Sequence, residues 1–110
     1  MTDPAANRTI AALGALAQEH RLALFRLLVQ AGEPGMAAGA IASSMGVPAS
    51  SLSFHLALME RAGVITRRRD GRSLIYAADF AAMGALIAYL TENCCNGATL
   101  CIPHEERLSA

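Results

Sequence analysis

Cys94, Cys95 and Cys101 are the only cysteines in the 110-residue chain, and they fall within eight residues of one another. Thiols gathered in one place point to sulfur chemistry rather than to packing, where a cysteine serves only as a small buried hydrophobe. Three is an odd number for disulfide pairing and one short of a closed tetrahedral zinc site. It suits an ion that takes three soft ligands. A redox or persulfide switch, in which two thiols join covalently, is the rival chemistry.

Position limits what the thiols can do. Neighbouring residues on an intact helix diverge by ~100°, so Cys94 and Cys95 converge only if the helix frays there, which Asn96-Gly97 favours. Cys101 must then fold back across a five-residue loop, from the same chain or from a partner. The helix in front of them opens at Asp79 as N-cap and carries Phe80, Met83, Ile87 and Leu90, with Leu86 and Tyr89 on an adjoining face. Such a helix is apolar nearly all round, which the surface helix of a monomer is not. It is expected to bury surface against a second copy.

The elements upstream read as a DNA-binding module. Asp3-Pro4 opens a first helix running to about Leu16. A second begins near Glu19, with Leu22, Phe25, Leu28 and Val29 on one side, Leu24 and Leu27 on the flank, and an end at Gly32. Ala37 to Met45 forms a short third helix ended by Gly46, and Pro48 opens a fourth. The fourth places Leu52, Leu56 and Met59 at i, i+4 and i+7 and leaves Ser50, Ser51, Ser53 and His55 between them. This is helix-turn-helix spacing, with a polar face on the second helix.

After Gly63 the period falls to two. Val64 to Arg69 and Arg72 to Ala77 flank Asp70-Gly71, a strong hairpin signal. Arg67, Arg68, Arg69 and Arg72 crowd its tip, and alternation on a strand sends about two of the first three outward. The net charge is zero, yet residues 61–72 hold five of the nine positive charges against one acid, and the chain has no lysine. Arginine's planar fork suits phosphates and guanine edges. The serine-rich helix is therefore expected in the major groove of double-stranded DNA, with the arginines on phosphates or in the minor groove. Serines at a helix start also serve as caps, and His55 could pack against the wing as readily as touch DNA.

Composition bounds the rest. The chain is long enough for one modest core. Its N-terminus has no signal-peptide apolar region, and the longest uncharged apolar run, Phe80 to Leu90, spans 11 residues, against ~20 for a bilayer crossing. A cytoplasmic protein with reduced thiols and no membrane partner is expected. There is no Gly-rich phosphate loop, nucleophile elbow, H-E-x-x-H or C-x-x-C, so an enzyme is not expected.

The stretches Ala17-Gln18-Glu19-His20-Arg21-Leu22, Ser50-Ser51-Leu52-Ser53-Phe54-His55-Leu56 and Arg69-Asp70-Gly71-Arg72-Ser73-Leu74-Ile75-Tyr76 resemble the ArsR/SmtB family of metal-responsive repressors. The likeness covers about residues 8–95. It implies a homodimer of winged-helix subunits, joined through the first and last helices, that represses its own operon and leaves the DNA when ligand binds. It places Ser50, Ser51, Ser53 and His55 on the recognition helix and Arg67 to Arg72 on the wing. The Cys-x-Cys pair of the best-known arsenic sensors is missing from Met36 to Ala42, and the last helix lacks the histidines of the zinc sensors. Glu92-Asn93-Cys94-Cys95 with Cys101 is similar to a subgroup of arsenite sensors with C-terminal cysteines.

That resemblance implies As(III), or Sb(III), as inducer. Trivalent arsenic binds three sulfurs and uses its lone pair as the fourth vertex. A cadmium, lead or zinc sensor of the same fold would need a fourth ligand, which only His104, Glu105 or a water could supply. The expected architecture is mainly α with one β-hairpin, a homodimeric winged helix-turn-helix in the order α-α-α-α-β-β-α. Residues 1–97 form the DNA-binding and dimerisation domain, and 98–110 a tail completing the thiol site.

Overall fold

Asp3 caps the first helix as its sequence implies: the carboxylate accepts the Ala5 amide at 3.1 Å, and Pro4 fills the first helical position, where no N–H is needed. The structure, a computed structural model, describes residues 3–97. Five helices and three strands follow in order: α1 (Pro4–Leu16), α2 (Glu19–Ala31), β1 (Met36–Ala37), α3 (Ala38–Met45), α4 (Ala49–Arg61), β2 (Ile65–Asp70), β3 (Ser73–Ala78) and α5 (Phe80–Thr91). A short 3₁₀ segment, Cys94–Gly97, ends the described chain. The fold is a winged helix-turn-helix, as the sequence leads one to expect.

The core lies where α2, α3, α4 and the sheet meet. Leu24, Leu28, Ile41 and Met59 are fully buried, with Leu52, Leu56, Val64, Ile65 and Tyr76 around them. The Leu52/Leu56/Met59 stripe of α4 thus faces inward. On α2 the expectation needs correcting. Leu24, Phe25 and Leu28 are buried, whereas Leu22 is 48% exposed. The helix is rotated so that Leu24 leaves the flank and enters the centre, a choice made by its packing against α1, α4 and β3 rather than by its own periodicity.

The sheet holds a strand the sequence did not announce. β1 pairs antiparallel with β3 (Met36 opposite Tyr76, Ala37 opposite Ile75), giving the order β1-β3-β2. Two residues carry no detectable alternation, so the strand was invisible and the third helix starts one residue later than expected, at Ala38. Gly35 makes the pairing possible. Its φ is +73°, and a Cβ there would run into the Tyr76 carbonyl. In the wing, β2 and β3 pair from Ile65–Ala78 to Asp70–Ser73, so the two-residue turn is Gly71-Arg72, one residue later than the expected Asp70-Gly71, because Asp70 joins the ladder opposite Ser73. Gly71 has φ +63°, as loops with glycine at the first central position require.

α5 begins as expected, with the Asp79 carboxylate accepting the Ala82 amide at 2.9 Å. None of its residues is buried within the protomer. Phe80, Met83 and Leu86 lean on the core, while Ile87 and Leu90 are 53% and 57% exposed. Ile10 and Leu13 on the neighbouring α1 are also exposed. No helix among the described residues is long and apolar enough to cross a membrane.

Candidate DNA-binding surface and thiol cluster

Gly46, left-handed at φ +66°, ends α3 and turns the chain through Val47-Pro48 into α4. Pro48 is the N-cap of α4 and provides no side-chain cap. None of the serines takes that role either: Ser50, Ser51 and Ser53 are exposed, and their hydroxyls make no hydrogen bond among the described residues. Three donor-acceptor groups are left for an external partner. At 3.6 residues per turn, Ser50, Phe54, Ala57 and Arg61 share one stripe with Ser53 beside it, and all five are exposed. Phe54, 62% exposed, was not singled out in the sequence. A bulky apolar residue among small polar ones is the signal that could have found it.

His55 turns the other way, toward α2 rather than the wing. Its ring stacks on His20 with centroids 5.8 Å apart and meets Phe54 edge-on at 5.6 Å. Arg21 places Nη1 3.4 Å from its Nδ1 and donates through Nε to the Ala15 carbonyl at 2.6 Å, tying the end of α1 to α4. A guanidinium has donors only, so Nδ1 must be the unprotonated acceptor. Burial, followed by the positive charge of Arg21 and then His20, holds the His55 pKa below 6.5.

The wing arginines divide. Arg67 lies 3.6 Å from Glu60 of α4 in a half-exposed ion pair. Arg68 donates from Nη2 to the Pro34 carbonyl at 2.9 Å, bracing the wing against the loop before β1. Arg69 and Arg72, nearest the turn, are exposed and have no partner among the described residues. Two of the four thus position the wing and two stand ready for an anion. Neither Glu60 nor Pro34 could have been chosen as a partner from the sequence.

At the other end of the molecule α5 stops at Thr91, whose hydroxyl donates to the Ile87 carbonyl at 2.7 Å. Beyond it Asn93, Cys95 and Asn96 all have φ near +56°, a backbone that asparagine tolerates and cysteine rarely adopts. The sequence suggests fraying at Cys94–Cys95; α5 instead ends earlier, at Thr91, and both thiols lie beyond it. Cys94 is half-buried and free, and Cys95 is exposed and disulfide-bonded. Cys101 and His104 lie outside the described residues.

Residues 16–68 match a family described as a helix-turn-helix domain. The chain is 34% identical over 90 residues to the HTH-type transcriptional regulator YgaV of Escherichia coli, covering 82% of this chain and 89% of YgaV. A homodimeric winged helix-turn-helix DNA-binding domain from Mycobacterium bovis, a possible ArsR-family regulator, superposes with a TM-score of 0.64 at 26% identity, covering 96% of this chain and 97% of that one. The chain belongs to the helix-turn-helix transcriptional regulators. The transcriptional repressor BigR of Xylella fastidiosa is a further structural neighbour, with a TM-score of 0.61 at 26% identity over 79% of this chain and 88% of BigR. That membership makes this a DNA-binding regulator rather than an enzyme, with α3–α4 as its helix-turn-helix and β2–β3 as its wing.

Proposed function

We propose that this helix-turn-helix regulator is a homodimeric repressor of the ArsR type that leaves its operator when trivalent arsenic, or the chemically similar antimony, binds Cys94, Cys95 and Cys101. One observation carries the reading: Cys94 and Cys95 lie just past the end of α5 at Thr91, the helix whose Ile87 and Leu90 are exposed within the protomer. With Ile10 and Leu13 of α1 these side chains supply an apolar face for a second copy. The homodimeric state of the Mycobacterium bovis neighbour supports that use.

In such a dimer the two α4 helices would enter successive major grooves ~34–36 Å apart. An ion gathered by thiolates at the end of α5 pins that helix end and alters the spacing of the reading heads without touching DNA. The fit rests on the donor set: soft thiolates for a soft ion, on a backbone already out of helical register. A coupling of ~1–3 kcal/mol per site would suffice for release, provided the ion binds the DNA-free conformation more tightly.

A second reading has its own support. Cys95 is disulfide-bonded, which favours a switch in which an oxidant sets the α5 terminus in place of an ion. Titrating the fully reduced, DNA-bound protein with arsenite, and separately with hydrogen peroxide, decides between them. Release by arsenite at stoichiometric concentration, abolished in the Cys94/Cys95/Cys101→Ser variant, is the expected result. Release by peroxide alone would move the assignment to the redox switch. An arsenite response that survives in the triple variant would remove the cysteines from either mechanism.

A further inference from the structure

We infer that Phe54 is a sequence-reading residue that packs against the C5-methyl groups of thymines in the major groove. The inference rests on the DNA-binding reading of α4 and adds to it the chemistry of one contact. A single exposed apolar side chain is ordinary on a protein surface; the place of this one is not. Ser50, Ser53 and Ala57, its neighbours on the outward stripe of α4, are all small and exposed, so the helix can approach a surface closely. Phe54 is then the one bulky apolar group projecting from the middle of that stripe, 62% exposed.

The ring is also held. It meets His55 edge-on at 5.6 Å, and His55 is tied through Arg21 to the carbonyl of Ala15. Its direction is set before any partner arrives, which lowers the entropy lost on contact. The serines beside it donate and accept hydrogen bonds but have no means of sensing a methyl group. Among the base edges of the major groove only thymine offers one, and apolar side chains are its complement. The stripe thus divides its work: hydroxyls for polar base edges, the phenyl ring for thymine.

The experiment uses the full-length protein and a duplex it enriches from a randomised DNA pool. Each half-site thymine is replaced in turn by deoxyuridine, which removes one methyl and nothing else, and affinity is read by fluorescence anisotropy at fixed salt. Wild-type protein is expected to lose about 3–5-fold per contacted methyl. Phe54→Ala should bind the thymine duplex more weakly and no longer distinguish thymine from deoxyuridine at that position, with an unchanged unfolding curve. Phe54→Leu, which keeps apolar bulk, should retain part of the difference. Indifference of the wild type at every thymine, or undiminished discrimination by Phe54→Ala, overturns the assignment while leaving DNA binding intact. Enrichment of no duplex at all overturns the DNA-binding reading together with it.

Discussion

Arg68 and Pro34, on opposite sides of the sheet's long connection, are joined by a hydrogen bond of 2.9 Å from Nη2 to the carbonyl oxygen. The bond braces the wing against the loop that delivers β1, and it separates Arg68 from the two arginines nearer the tip. Arg69→Ala and Arg72→Ala should each weaken operator binding and reduce the slope of log affinity against log salt by about 1, with unchanged melting. Arg68→Ala should loosen the wing as well, costing up to about 1 kcal/mol of stability because the bond is exposed. Salt titrations and thermal melts of the three variants check the division.

The apolar face of α1 and α5 makes a prediction about assembly. Leu90→Glu places a charge where a second copy is expected to pack, on a residue 57% exposed within the protomer. Sedimentation should show monomers, circular dichroism an unchanged helix content, and operator binding should fall by more than tenfold, since one reading head lacks the reach of two. A variant that stays dimeric would move the interface away from α5.

His55 should make stability depend on pH. Its folded pKa lies below 6.5, through burial, Arg21 and His20 in that order. Folding therefore disfavours the protonated form, and the unfolded chain binds more protons in the window below pH 6.5. Stability should be complete above that value and fall as the pH drops from 6.5 toward the folded pKa. His55→Gln should flatten that part of the curve in melts between pH 5 and 8.

Two glycines should respond oppositely to alanine. At Gly35 the left-handed backbone and the Tyr76 carbonyl leave no room for a methyl group, so Gly35→Ala should cost about 2 kcal/mol or more and unpair β1. Gly39 sits in α3 with nothing within 4 Å of an added Cβ, so Gly39→Ala should stabilise by up to about 1 kcal/mol. Denaturant unfolding of both variants is the measurement.

Much of this molecule is written locally. The Asp3 and Asp79 caps, the Gly46 and Gly63 breaks, and the Leu52/Leu56/Met59 stripe each depend on residues a few positions apart, and each is present. The exposed serines and the arginine-rich wing were legible for the same reason. Phe54 was not, because its meaning comes from the contrast with small neighbours on a face that only the packed helix defines.

What the tertiary structure alone decided is which side chains are already engaged. Arg68 finds Pro34 and Arg21 finds His55, each across 34 residues of chain. No local periodicity encodes a partner at that distance, since it depends on how α2, α4 and the sheet settle against one another. The same packing chose Leu24 over Leu22 for the core and added β1 to the wing. The sequence by itself determined the module, its polar reading helix and the place of its thiols. Packing determined which arginines are free and which way His55 turns, because a hydrogen bond needs two groups in one place and only the folded chain brings them there.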